Sequence, residues 1–429
     1  MNRIVDIHEK LPLKETIPLG MQHLMAMFGA TVLVPLIFGI NPAICLLMNG
    51  IGTIIYTIVT KGGIPAYLGS SFAFIAPVLL IISTMGGYEY AQVGFIAFGL
   101  FFVIMSVVIK FCGVKWIDIV MPPAVMGGVV ALIGLELAPV AASSAGLAPG
   151  DSYHDGPTMI VAFFTLLVAI FGSVVFRGFA KIIPILIAVI TGYLIALPFG
   201  LIDFTVVKGA AWVGLPEVYW PAVNKQSLTA ILIILPAMLV VFAEHISHLV
   251  VTSKITGKDL VKNPGLDKSL LGDGISNMLS GLFGSTPNTT YGENIGVMAI
   301  TRVYSVWVIR AAAIMAISLS LVPKFAALIQ SLPWAVIGGI SIYLYGVIAI
   351  SGIRMFVDQR VDFSKNYNMI LGAIVFSIGV SGASIKLGEV EIQGMALSAV
   401  VGIILSLSFY IFAKLGIMNE KYEPGVQEE

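Results

Sequence analysis

Between residues 16 and 413 the chain passes from one apolar stretch to the next with only short polar links between them. A helix that crosses a bilayer needs about 20 mostly apolar residues, and its backbone polar groups must be satisfied inside the segment because hydrocarbon offers no partners. This dictates an all-α integral membrane protein. About fourteen segments qualify, at residues 16–38, 42–60, 70–84, 91–110, 117–138, 158–176, 180–200, 228–251, 271–284, 291–301, 303–322, 332–352, 366–383 and 392–413. Composition agrees, with 58% hydrophobic and 11% charged residues against roughly 45–50% apolar and about 25% charged in soluble domains.

The third, ninth and tenth segments are too short to cross as ordinary helices. The third and tenth follow similar polar stretches, "GSSFAF" at 69–74 and "GSTPNT" at 284–289. The match reads as an internal repeat of two halves with roughly seven segments each, which an odd number places in opposite orientation, as in inverted-repeat transporters. Broken backbone at membrane depth survives only where protein or a water-filled cavity covers it. Each stretch leads into a half-helix whose free N–H groups and positive dipole end suit an oxygen acceptor, so a binding site is expected there. The alternative is that Gly, Ser and Pro only loosen packed helices.

With both termini in the cytoplasm, the loops assigned to that side hold all the Lys and Arg except Lys208, Lys225, Lys324 and Lys386 outside and Arg310 within a span. This is the positive-inside pattern. The N-terminus "MNRIVDIHEKLPLKE" lacks the features of a cleaved signal. Equal numbers of basic and acidic residues, 23 each, give no support for a nucleic-acid partner. Cys45 and Cys112 sit in or beside apolar runs and suggest neither a disulfide nor a metal site. No phosphate-binding loop or nucleophile arrangement is present, so no cofactor is expected beyond a coupling ion.

Ionisable groups inside the spans are few and therefore informative, because a charge at the centre of a membrane helix costs about 2.5–3.5 kcal/mol on insertion scales. In "LIILPAMLVVFAEHISHLVVT" Glu244 and His248 are four apart and share a helix face, whereas His245 points elsewhere and reads as structural. Glu293, in "STPNTTYGENIGVMAITR", is a second acid. Gln22 and His23 in the first span suit either helix packing or a site lining. Arg310 is expected to snorkel towards the cytoplasm, and Asp118 and Glu136 to meet water near span ends. The "NTT" at 288–290 matches a glycosylation pattern by chance, since it falls in the membrane.

"ENIGVMAITR", with an acid, Asn, any residue, Gly, four further residues, Thr and a basic residue, resembles the signature of the nucleobase–ascorbate transporter family. "QH" at Gln22 and His23, "AEHISH" and "GSSFAF" are similar to motifs of the same family, and the likeness covers essentially the whole chain. An acid at the first signature position, where purine members have Gln, favours the uracil-carrying branch. The resemblance implies fourteen segments in two inverted halves. A core domain would hold residues 1–112 and 225–323, and a gate domain residues 113–224 and 324–429. It further implies that Glu244 and Glu293 contact the base, that backbone N–H groups of Phe72 and Gly292 complete the contacts, that His248 supports Glu244, and that Ala30, Tyr291 and Tyr345 lie close by. Proton symport in a cytoplasmic membrane, with Glu244, His248, Glu293 and Tyr345 serving coupling, and homodimers through the gate are family properties it also implies. Arg310 has no counterpart role.

Uracil is a neutral planar ring with two N–H donors and two carbonyl acceptors, so carboxyl oxygens and half-helix N–H groups complement it. A symporter of xanthine or another nucleobase, and a passive channel for a small polar solute, remain alternatives. An intramembrane enzyme would need a nucleophile or metal set that is missing, and an anion carrier would meet repulsion from two carboxylates.

Overall fold

The computed structural model describes residues 4–150, 154–387 and 390–422. The first apolar stretch folds as α1 (Leu13–Ala26) and α2 (Phe28–Phe38), bending at Met27, and together they make a continuous span of 26 residues. Gly39 ends α2 in the left-handed conformation, φ 72°, which glycine alone adopts without strain. Asn41 then caps α3 (Pro42–Val59) by accepting from the Ala43 N–H at 2.9 Å. After a turn the chain runs extended through β1 (Leu68–Ser70), tightens into a 3-10 turn at Phe72–Phe74 and continues as α4 (Ile75–Met85).

Next come α5 (Tyr88–Cys112), the short α6 (Lys115–Val120), α7 (Pro123–Ser144), α8 (Gly156–Val175), α9 (Pro184–Ala196) and α10 (Thr205–Gly209). The second half begins with α11 (Ser227–Thr256), followed by α12 (Leu266–Phe283), β2 (Asn288–Thr290), α13 (Gly292–Thr301), α14 (Val306–Ser320) and α15 (Pro323–Gln330). It closes with α16 (Trp334–Asp358), α17 (Asn366–Val380), a hairpin of β3 (Ser384–Leu387) and β4 (Val390–Gln393), and α18 (Gly394–Lys414).

Among the described residues eight helices are long and apolar enough to cross a membrane alone, or nine if α14 and α15, bent by 85°, count as one span. The larger tally from the sequence is reached only by adding shorter helices such as α4, α9, α13 and α17. Three boundaries differ from the sequence reading. α12 starts at Leu266, so the expected short ninth segment is 18 residues long; its charged first turn, Asp267 and Lys268, reads as loop on hydropathy alone. The expected span at 117–138 is broken at Met121 and Pro122, and α7 begins on Pro123, as a proline without an N–H favours a first helical turn. The hairpin at 384–393 carries no strong signal, being short and partly charged.

Two groups of helices pack internally. In one, α12 packs on α5 and α3, α14 on α3 and α1, and α11 on α5; in the other, α16 packs on α7 and α8, α8 on α9, and α17 on α7 and α18. Small residues set the crossings, as membrane helices require. A Cβ on Gly99 of α5 would lie 2.5 Å from the Gly274 carbonyl of α12, and one on Gly134 of α7 would lie 2.7 Å from the Ala349 N–H nitrogen of α16.

β1 and β2, from the two halves, meet as an antiparallel pair with Leu68 opposite Thr290, Gly69 opposite Thr289 and Ser70 opposite Asn288. Because the strands run oppositely, the half-helices that follow them leave the pair in opposite directions. All six strand residues are buried, so the pair satisfies backbone that bilayer cannot. On the side where α13 ends, the N-terminal segment is stitched beside Val303: the Val5 N–H donates to the Arg302 carbonyl at 3.0 Å, and the Val306 N–H to the Ile7 carbonyl at 2.9 Å.

Candidate substrate site

Both half-helices start with unspent donors. α13 is preceded by Tyr291 with no side-chain cap, and its first internal bond runs from the Ile295 N–H to the Tyr291 carbonyl. The N–H of Gly292 therefore points out of the helix end, where the dipole favours an oxygen acceptor, whereas the N–H of Glu293 is engaged by its own carboxyl group. Opposite, Ser71 caps the Phe72 turn by accepting from the Ala73 N–H at 3.4 Å, which leaves the Phe72 N–H outside the turn's bonding.

α11 supplies the second acid. It packs against α13, β2 and the Phe72 turn, so Glu244, Glu293, Gly292 and Phe72 belong to one neighbourhood. Glu244 is half-buried and Glu293 exposed to the space beside it. His248, one turn beyond Glu244, lies against the start of α13. Its Nδ1 is 3.1 Å from the Thr290 hydroxyl, and a Cβ on Gly292 would sit 3.2 Å from its Nε2. The hydrogen bond of His248 is thus to Thr290 rather than to Glu244, because β2 runs directly beside this face of α11.

Ala30, Tyr291 and Tyr67 share a buried cluster with Phe72 packed on its edge. The Tyr291 hydroxyl donates to the Ser70 carbonyl at 2.8 Å, which joins the start of α13 to the end of β1. Tyr345 reaches in from α16, the other helix group, with its ring centroid 6.2 Å from that of Phe72 and the planes at 83°. Its hydroxyl is buried without a partner among the described residues. A contact between the two groups therefore falls on a residue of the site.

His23 serves packing rather than lining: Asn294 Nδ2 lies 3.1 Å from His23 Nδ1 and donates to the His23 carbonyl at 3.2 Å. His245 is buried, with Nδ1 2.9 Å from Asp273 and Nε2 2.8 Å from the Ser269 hydroxyl. Asn277 links Asp273 Oδ1, at 3.0 Å, to the Asn288 carbonyl of β2, at 3.1 Å. Sequence reasoning missed this network, although an acid within an expected short span, in "GDGISN", is the signal that reveals it. Arg310 donates from Nε to the Thr57 hydroxyl at 3.0 Å and stacks on Trp307, 4.9 Å from its ring centroid. It reaches the last turn of α3, where a cation complements the helix dipole.

A family model described as "Permease family" matches residues 14–387. The chain is 56% identical over 423 residues to a uracil permease of Paenibacillus larvae, covering 98% of this chain and all of that one. Over 414 residues it is 55% identical to the uracil permease of Escherichia coli K12, covering 96% of this chain and 95% of the other. Identity to the Bacillus caldolyticus uracil permease is 43%, with 95% of each chain covered. Among solved structures, the transmembrane domain of the cyanobacterial bicarbonate transporter BicA superposes with a TM-score of 0.66 at 16% identity, covering 94% of this chain and 100% of that one. SLC26A9 does so with 0.67 at 13%, covering 94% and 66%. These structural likenesses extend to the fold alone, two inverted repeats arranged as core and gate.

Proposed function

Because the chain belongs to the permease family matched across residues 14–387, we propose that it takes up uracil across the cytoplasmic membrane by proton-coupled alternating access. The substrate reading rests on full-length identity of 43–56% to uracil permeases. The observation that carries the mechanism is the convergence of Glu244 and Glu293 with the free N–H groups at the starts of α13 and the Phe72 turn. Carboxyl oxygens accept from the two ring N–H groups of uracil, and the half-helix N–H groups donate to its carbonyls. An analogue that lacks one of these groups leaves a buried partner unpaired, at about 1–3 kcal/mol.

The core, residues 1–112 and 225–323, carries the site and moves against the gate, residues 113–224 and 324–429. Tyr345 meets Phe72 at that boundary and closes one side of the substrate. Both termini face the cytoplasm. A proton bound on Glu244 or Glu293 removes one negative charge from the moving unit, which otherwise carries two at membrane depth. Proton and uracil load together from outside and leave together inside, and His248 and Tyr345 serve the coupling alongside the protonated acid. A glutamine at position 244 or 293 tests this: if Glu244→Gln still accumulates uracil against a gradient as wild type does, Glu244 is not the coupling residue, and the same holds for Glu293→Gln.

A further inference from the structure

Glu136 is an intramembrane acid whose surroundings the central site does not explain. It lies on α7 and faces a cavity of about 430 Å3 whose walls come from both helix groups. Ala76, Pro77 and Leu80 of α4 and Leu232, Pro236 and Ala237 of α11 form one side; Pro139 of α7 and Met395 of α18 are part of the other. Among the described lining residues Glu136 alone is ionisable.

Two walls of the cavity continue along the chain into the central site. Ala76 is four residues beyond Phe72 on one wall and Ala237 seven residues before Glu244 on the other, which at 1.5 Å per helical residue are distances of about 6 and 10 Å. α4 runs away from the centre towards the end of the molecule that also holds the start of α11, the β3–β4 hairpin and the start of α18. In the orientation proposed above, that end is the outer one.

The carboxylate is half engaged. Glu136 Oε1 accepts from the Met395 N–H and so caps α18 from another helix. Glycine at 394, φ 56°, makes room for it, since a Cβ there would run into the carboxylate. Oε2 has no hydrogen-bond partner among the described residues. A cap alone is satisfied by one oxygen and does not explain an acid kept at the rim of a cavity between the moving parts. An acid within a membrane span marks a substrate or ion path by default, and mostly apolar walls with a few convergent polar groups, here Glu136 and Gln393, are the usual build of a small-molecule pocket.

We propose that this cavity is an outer approach site for the substrate, where Glu136 Oε2 accepts one ring N–H of uracil between apolar walls before the ring passes between α4 and α11 to Glu244 and Glu293. The inference rests on the function proposed above. An approach site raises the rate of capture without changing the final bound state, so its loss raises KM and leaves both the equilibrium Kd and the maximal rate unchanged.

Two variants test it. Glu136→Gln keeps an oxygen for the Met395 N–H and replaces the free acceptor with a donor. Leu80→Phe narrows the cavity and leaves Glu136 intact. In proteoliposomes of one orientation, labelled-uracil uptake from the outer side should show KM raised about tenfold for Glu136→Gln, the loss of one hydrogen bond to a charged acceptor, with KM also raised for Leu80→Phe. Kd by calorimetry and the maximal rate should match wild type for both. Wild-type KM in both variants overturns the inference, and Glu136 is then a helix cap only. Raised Kd in step with KM also overturns it, since the effect then lies at the central site. If Glu136→Gln does not fold, Leu80→Phe decides alone by the same criteria. A wild-type protein that neither binds nor takes up uracil contradicts the proposed function itself, which sets that failure apart from a failure of the approach site.

Discussion

Replacing Gly69 by alanine strikes the support of the site without touching any group that meets the substrate. A Cβ at Gly69 would lie 2.6 Å from Cζ and 2.9 Å from Cδ2 of the Tyr291 ring, and closer still to its near edge. Restoring a carbon contact of about 3.5 Å requires the near edge of the ring to move by more than about 1 Å. Tyr291 is only 5% exposed, so it has no free space to move into, and displacement breaks its hydroxyl bond to the Ser70 carbonyl. Overpacking of this kind costs about 1–3 kcal/mol and the lost hydrogen bond about 1 kcal/mol, which together give about 2–4 kcal/mol of destabilisation. Tyr291 is the residue immediately before Gly292, so the same shift moves the N–H groups of α13, and a misplacement near 1 Å can cost about a hundredfold in a geometrically demanding site. Thermal unfolding in detergent and calorimetric titration with uracil measure the two consequences. Gly69→Ala should lower the midpoint and raise Kd at least tenfold, whereas Tyr291→Phe, which removes only the hydrogen bond, should cost about 1 kcal/mol and change Kd less. Wild-type Kd in Gly69→Ala would refute the reasoning that the strand pair positions α13.

Other expectations follow from the same geometry. Gly134→Ala should destabilise by about 1–3 kcal/mol through overpacking of α7 against α16, read as a lower unfolding midpoint, whereas Gly346→Ala, where a Cβ meets nothing within 4 Å, should leave it unchanged or slightly raised. Asp273→Ala removes the hydrogen-bond partner of the buried His245 Nδ1 and should cost about 1–3 kcal/mol, so the variant should unfold below wild type. Asn294→Ala leaves His23 without its partner from α13 and should cost about 1–3 kcal/mol, again by thermal unfolding. Lys258 holds the Asp6 carboxyl below its ordinary value, first through the side-chain hydrogen bond. The pair's contribution is therefore present above the unfolded value of about 4 and lost only as pH falls below it. Amide exchange at Val5 and Tyr304, corrected for intrinsic rate, should be the same at pH 6 and pH 8.

Much of the architecture was legible because the bilayer imposes length and polarity rules that the sequence must show. The polar stretches at 69–74 and 284–289 stood out against apolar neighbours, and the structure places β1, the Phe72 turn and β2 in or beside them. That they pair with each other was not legible: each strand has three residues, and the contact spans more than two hundred positions. Glu244 and Glu293 were visible as acids in apolar runs, and packing of α11 on α13 brings their elements together. The partner of His248 was not legible, because helical spacing relates it to Glu244 on the same helix and says nothing of Thr290 on a strand beside it. Asp273 lies two residues inside the expected 271–284 segment and reads there as an acid near a span end, because the charged first turn of α12 hides that the helix begins at Leu266. Arg310 was expected to lean towards the cytoplasmic end; its bond to Thr57 depends on a neighbouring helix that periodicity does not name.

The most direct test of the central claim is uptake of labelled uracil into liposomes that contain the purified protein, with and without an acid-outside pH gradient and with unlabelled xanthine as competitor. Accumulation above the outside concentration that requires the gradient and is indifferent to xanthine is the result expected of a uracil–proton symporter. Equilibration to the same level with or without the gradient would contradict proton coupling, and displacement of uracil by xanthine would contradict the substrate assignment.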